Sequence, residues 1–439
     1  MLHLDSASGI ISGRVPEMKG EYAVELRASN AEGEAKRVFK IVVGDTIGLT
    51  PQMGWNDWYT YYDRVTDRDI RTAADTLIAS GMADYGYQFI SIDDGWATKP
   101  DSTDPLLNGL ARSASGTILP NKRFPDMAAL TASIHAKGLK AGIYTSPGPT
   151  TCAKFEGSYR HESADARQFA DWGFDLLKYD WCSYDQVSGG RALEQLKAPY
   201  VLMGEILKAL DRDIIFNICQ YGMGEVWNWG ADVGANSWRT TGDVGVLGET
   251  SLPGFYHAAL ANSVHDKQAG PGGWNDPDYI LIGTIGNARD YTEPAHPTSL
   301  TLNEQYSYMS MWALMASPLF FSGDMAQLNK QTLNVLCNSE IIDVDQDPLG
   351  RQGKVVRRTK QELILSKPLE DGSVAVGLFN LTRASRTVAI SWSKLDVRGS
   401  QQVHDLWRQE DLGKFSSGFV VKIPSHGVTM IRATRTSKH

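Results

Sequence analysis

Apolar and polar positions change their period twice along this chain, and each change marks a boundary. Over residues 1–46 the period is two. Tyr22, Val24, Leu26 and Ala28 alternate with polar partners in GEYAVELRASN, and RVFKIVVG carries the pattern on through Val38, Lys40 and Val42. Two alternating runs joined by a polar Asn-Ala-Glu-Gly segment predict a β-hairpin. Over residues 47–347 short apolar runs recur at about the spacing of one βα unit: YQFISIDD, LKAGIYTS, FDLLKYDWC, DIIFNICQ, ANSWRTTGD and SPLFFSG. Amphipathic segments lie between them. In DRDIRTAADTLIASG the helical repeat gathers Ile70, Ala73, Ala74, Leu77 and Ile78 on one face, with Thr66 and Asp69 as a capping pair and Gly81 as the stop. FPDMAALTASIHAKG follows the same scheme and stops at Gly138. This alternation predicts an α/β fold, a (β/α)8 TIM barrel in preference to an open sheet. Over residues 348–439 the helical period disappears. ELILSKPL, VAVGLFNLT, RTVAISWS and GFVVKIPSHGVTMIRA read as strands of a C-terminal antiparallel β-sandwich domain. Residues 1–46 read as a short N-terminal β module.

A length of 439 residues exceeds one ordinary core, in keeping with several domains. Hydrophobic residues at 42% and charged ones at 21% describe a soluble globular chain. A net charge of −8 without any Lys/Arg run excludes a duplex nucleic-acid binder. No apolar run approaches the ~20 residues of a membrane helix. Of the four cysteines, Cys152 and Cys182 could pair, while Cys219 and Cys337 have no evident partners. One disulfide points to an oxidising compartment. The start, MLHLDSASG, carries no signal peptide. The 1–46 module resembles the closing part of an immunoglobulin-like domain without its opening strands, so a truncated N-terminus and a periplasmic or secreted location are expected.

Barrel enzymes place their chemistry at the C-terminal ends of the strands. Here those ends carry Trp55, Asp57 and Trp58; Asp93 and Asp94; Tyr144; Lys178 and Asp180; Cys219 and Gln220; Arg239 and Asp243; then Trp274, Asp276 and Asp278. An Asp after a strand is often only a helix N-cap, and a Trp is more often core than platform. Five ends with carboxylates are harder to dismiss. No metal-ligand spacing, paired cysteines at short spacing or phosphate-binding loop accompanies them, so no metal or cofactor is expected. Carboxylates accept hydrogen bonds from vicinal hydroxyls, indole faces stack on sugar C–H faces, and two further carboxylates can serve as nucleophile and acid. Alternation along strand four puts Lys178 and Asp180 on one face, where the cation would keep the carboxylate ionised.

Nine segments in order, MGWNDW, SIDDGW, RFPDM, HAKGLKAGIY, FADWGFDLLKYDWC, SWRTTGD, GPGGWNDPDYI, ASPLFFSGD and DQDPLGRQG, resemble glycoside hydrolase family 27, the α-galactosidase and α-N-acetylgalactosaminidase family. The resemblance implies a barrel plus sandwich and a retaining exo-glycosidase acting on a carbohydrate with terminal α-galactose. By motif, Asp180 takes the place of the nucleophile and Asp243 that of the acid/base. Asp93 and Asp94 match the pair gripping the galactose 4- and 6-hydroxyls. Trp58, Tyr144, Lys178, Arg239 and Asp278 match further sugar-contacting positions, and Cys152 with Cys182 a family disulfide. After strand five many members carry Cys-Glu-Trp; here Cys219, Gln220 and Tyr221 stand there, and Gln220 is expected to face the sugar 2-substituent. Its size argues against N-acetylgalactosamine, and retention of both Asp93 and Asp94 favours galactose over β-L-arabinopyranose. A retaining mechanism calls for carboxyl groups ~5–5.5 Å apart. A galactose-binding protein without catalysis and a metal-dependent barrel hydrolase are the rival readings.

Overall fold

The computed structural model describes residues 2–247, 252–288, 290 and 292–436. It divides into two compact units, Met1–Ile47 and Gly48–His439. In the first, strands Gly20–Asn30 and Gly33–Val43 form the expected hairpin, with Asn30 opposite Gly33. Tyr22 and Val24 stand opposite Ile41 and Phe39, and directly opposed residues share a face. The less exposed face of the second strand is therefore Phe39, Ile41 and Val43. Val38 and Val42, the alternating set expected from RVFKIVVG, lie on the exposed face.

The second unit opens with eight parallel strands: Met53–Asn56, Phe89–Ser91, Lys140–Thr145, Leu176–Asp180, Ile215–Cys219, Ser237–Arg239, Trp274–Asp276 and Leu319–Phe321. Strands one to seven pair in sequence order, and the eighth pairs with the first. The ring closes just beyond strand seven, where Ile280 bridges Phe321. Parallel strands need helical crossovers, and the periodic segments supply them. Helix Asp67–Ala79 has the reciprocal capping box of Thr66 and Asp69, and Gly81 follows at φ +80°, the left-handed stop that glycine allows. Ile70, Ala73, Ala74 and Leu77 are buried. Ile78 is 43% exposed: at 3.6 residues per turn it falls about 80° from Ile70, past the edge of the stripe. Helix Met127–His135 is capped by the Asp126 side chain on the Ala129 N–H.

The sandwich sets a six-stranded antiparallel sheet, from Lys354–Arg358 to Glu410–Phe415 at its edges, against the pair Arg386–Ser391 and Gly418–Ile423. Val388 and Ile390 turn inward onto Val376, Leu378, Trp392 and Ile431. Polar groups tie it to the barrel. Glu304 meets His426 Nδ1 at 2.7 Å, Tyr256 and Ser307 donate to the His426 carbonyl, and the Trp407 indole donates to Ser310. Among the described residues, no helix is long and apolar enough to cross a membrane.

Candidate active site

The period of two along each strand decides which side chains enter the barrel mouth. On strand four, Lys178 and Asp180 point inward, while Tyr179 packs outward against Tyr200 and Phe216. On strand three Tyr144 is in register with Lys178. On strand six Arg239 turns inward and Trp238 outward, its indole donating to Asn275. Strand five carries Asn217 and Cys219 on its inner side: Asn217 donates to Ser237 and Asp276, and Cys219 accepts from Arg239. Tyr221 continues that phase and reaches the mouth. Gln220 continues the phase of Ile218.

The barrel mouth holds a cavity of ≈ 100 Å³, lined by Trp58, Tyr59, Asp93, Asp94, Tyr144, Cys152, Lys178, Asp180, Tyr221, Arg239, Asp243, Asp278 and Tyr279. Nine of the ten site residues named from the sequence line it. Gln220 does not: it is fully buried, and its amide donates to the Met223 carbonyl. The expectation that Gln220 faces the site is not met; Tyr221, the next residue, lines the cavity instead. Tyr59, Tyr221 and Tyr279 complete the wall. Parity from Asn217 through Cys219 was a signal that could have found Tyr221.

Asp180 sits at the centre. Its Oδ1 accepts from the Tyr221 hydroxyl and the Trp181 N–H, both at 2.7 Å, and its Oδ2 from Tyr144 at 3.1 Å. The disulfide Cys152–Cys182 lies beside both tyrosines, with Tyr144 Oη 3.5 Å from Cys182 Sγ and Tyr221 Oη 3.8 Å from Cys152 Sγ. Lys178 pairs directly with Asp93, Nζ to Oδ2 at 2.7 Å, and stands over the rings of Tyr144 and Tyr279. Its effect on Asp180 is exerted through space. Burial pushes the Asp180 carboxyl above its ordinary range, and the Asp243 charge adds; Lys178, Tyr221 and the Trp181 N–H pull it down without cancelling the rise. The expected pull of Lys178 on Asp180 is present, but burial outweighs it.

Two aspartates named from the sequence support the wall from behind it. Asp57 Oδ1 accepts the Asp93 N–H at 2.7 Å, and Asp276 Oδ1 accepts the Asp278 N–H at 2.8 Å. Asp57 stands at the N-cap of the single turn Trp58–Tyr61 without making a side-chain cap bond. Three buried polar atoms of the lining residues have no protein partner: Asp94 Oδ1, Asp278 Oδ1 and Arg239 Nε. Leaving such groups unpaired is costly, and two acceptors and a donor can thus serve a polar ligand. Asp243 is 40% exposed and bonds Arg239 Nη2 at 3.1 Å.

Burial, reinforced by the Asp93 and Asp180 charges, pushes Asp94 up to about 7, against hydrogen bonds from Ala153 and Thr151. An Asp raised in this way favours the native state at low pH and loses that advantage as pH rises through its folded value. Asp94→Asn, which is isosteric and never charged, is expected to leave the melting temperature almost unchanged near pH 4 and to raise it by several degrees near pH 8. Melts of both proteins across that range check this. A variant no more stable than the parent at the alkaline end would contradict it.

A family model described as alpha galactosidase A matches residues 50–347, and one for the alpha galactosidase C-terminal beta sandwich domain matches residues 362–433. The chain is 35% identical over 434 residues to an alpha-galactosidase of Cyamopsis tetragonoloba, covering 98% of this chain and 95% of the relative. It superposes with a TM-score of 0.90 on a candidate alpha-galactosidase/melibiase of Bacteroides fragilis NCTC 9343, at 35% identity over 99% of this chain and 89% of that one. Alpha-galactosidase I of Mortierella vinacea gives a TM-score of 0.78 at 28% identity, covering 90% of this chain and 100% of that one. Barrel, sandwich and family models agree, and the chain belongs to the alpha-galactosidase family of glycoside hydrolases.

Proposed function

We propose that this protein is a retaining exo-glycosidase that releases terminal α-D-galactosyl residues from oligo- or polysaccharides. The observation that carries the reading is the placing of Asp180 and Asp243 on one small cavity walled by hydroxyl-binding groups. Asp180 attacks the anomeric carbon as the bond to the leaving oxygen breaks, and Asp243 passes its proton to that oxygen. Water then attacks the galactosyl-enzyme, giving its proton back to Asp243 and freeing Asp180. Two displacements restore the α configuration.

Asp93 and Asp94 grip the 4- and 6-hydroxyls. Lys178, held by Asp93, and Arg239 donate to neighbouring hydroxyls, and Asp94 Oδ1 and Asp278 Oδ1 accept from them. Trp58 and Tyr144 supply apolar faces. Tyr221 takes the role first given to Gln220: its hydroxyl bonds the nucleophile, its ring lines the cavity, and its bulk there opposes an acetamido group at carbon 2. The small cavity supports removal of single terminal residues. The disulfide supports a periplasmic or secreted setting. A binding protein without catalysis would have no use for both Asp180 and Asp243.

The test is release of nitrophenol from the α-galactoside, the α-N-acetylgalactosaminide and the β-L-arabinopyranoside. The galactoside is expected to lead in kcat/KM by ~10²-fold or more, because a site built to bond a hydroxyl discriminates strongly against its absence. A preference for either other sugar would overturn the assignments of Asp93, Asp94 and Tyr221.

A further inference from the structure

We infer that Tyr59 is a positioning residue for proton donation, acting through Asp278 on the loop that carries Asp243; this rests on the acid/base role proposed for Asp243. Tyr59 follows Trp58 in the turn after strand one and is 2% exposed. Its hydroxyl donates to Asp278 Oδ2 at 3.2 Å and accepts the Gly245 N–H at 3.3 Å. The same Asp278 oxygen accepts the Val244 N–H at 2.8 Å and meets Arg239 Nη2 at 3.1 Å. Arg239 Nη2 in turn bonds Asp243 Oδ1 at 3.1 Å. Both peptide N–H groups that follow Asp243, and the guanidinium bonded to its side chain, thus converge on one carboxylate oxygen and one phenol.

The clasp is rigid on the Tyr59 side. The ring stands edge-on to Tyr62 and Tyr279, at centroid separations of 6.4 and 6.1 Å. It also lies so close to Gly245 that a Cβ there would collide with it. Burial, then the charges of Asp278 and Asp243, hold the Tyr59 hydroxyl well above its ordinary pKa, so it keeps the proton it donates. Asp278 itself has φ +87°, a left-handed conformation costly for a residue with a side chain. That conformation leaves Oδ2 bonded to the loop while Oδ1 has no protein partner. One carboxylate therefore divides its two oxygens between the acid-bearing loop and the cavity.

Asp243 depends on this loop because its own side chain is 40% exposed. A general acid must come within hydrogen-bond reach of the leaving oxygen, and small misplacements are expensive. Leaving groups differ in how much they need the proton. A sugar or alkyl alcohol departs poorly without it, whereas dinitrophenolate departs unaided.

The experiment compares kcat/KM for an alkyl α-galactoside and for the 2,4-dinitrophenyl α-galactoside in Tyr59→Phe, Asp278→Asn and Asp243→Ala proteins. In Tyr59→Phe the alkyl substrate is expected to lose about tenfold and the dinitrophenyl substrate less than about twofold. Comparing two substrates on one preparation cancels any unfolded fraction. If Tyr59→Phe does not fold, Asp278→Asn reads the same clasp from its other end, with the same leaving-group selectivity added to any general loss of binding. Equal losses on both substrates, or none, overturn the inference. Asp243→Ala separates the two levels: if it shows the selectivity and neither clasp variant does, only the inference fails. If Asp243→Ala shows none, the acid/base assignment fails.

Discussion

Replacing Asp180 by Asn is expected to lower turnover of the α-galactoside by ~10⁴-fold or more while leaving the fold intact. The amide has nearly the shape of the carboxylate. Its oxygen can still accept from Tyr221 and the Trp181 N–H, and the Tyr144 hydroxyl can turn to accept from the new NH₂. It has no anionic oxygen to attack carbon 1. Because burial already pushes the Asp180 carboxyl up, the neutral replacement removes an unfavourable charge. Its melting temperature near neutral pH should equal or exceed that of the parent. Lost activity in an equally stable protein separates chemistry from folding. A variant that keeps full turnover would end the nucleophile assignment.

Asp243→Ala should behave differently because the acid is needed in proportion to the leaving group. The kcat/KM for substrates with sugar leaving groups is expected to fall by ~10²–10⁴-fold, with little change for the dinitrophenyl galactoside. The second displacement then lacks its base, so galactosyl-enzyme accumulates. Azide, an anion that needs no base, should restore turnover and yield the α-galactosyl azide. Attack on a covalent intermediate held by Asp180 restores the starting configuration. Formation of the β-azide would mean direct displacement and would exchange the roles of the two residues. The remaining Arg239–Asp278 pair keeps the guanidinium from being left unpaired.

The barrel was legible because apolar runs recur at the βα spacing and several are followed by helices with side-chain caps, at Thr66, Asp126, Thr301 and Asn329. Asp67–Ala79 shows why boundaries held: Thr66, Asp69 and Gly81 each carry a local physical instruction. What failed was finer than periodicity. Ile78 lies one step beyond the buried stripe, and apolar character alone does not locate the edge of a face. In the hairpin, both Val38 and its neighbour Phe39 fit a period of two. Only the pairing register, with Phe39 opposite Val24, chooses between them.

Within the site, residue type identified the charged groups, but partnership was not readable. Lys178 and Asp180 share a strand face, yet Lys178 bonds Asp93, which arrives from strand two, 85 residues away in sequence. Gln220 drew attention through its chemistry, although parity from Asn217 and Cys219 favoured Tyr221. Tyr59 carried no local signal. Its role depends on Asp278 and Gly245, which the barrel brings to it from 219 and 186 residues away.

Trapping of the intermediate tests the central claim most directly. The wild-type protein is incubated with a fluorinated α-galactosyl donor bearing an activated leaving group, so that the first displacement outruns the second, and the digested protein is sequenced by mass spectrometry. The account requires one galactosyl adduct per chain, on Asp180 within the segment LKYDWC. An adduct on another carboxylate, or complete turnover of a slow donor with no adduct at any time, would contradict it.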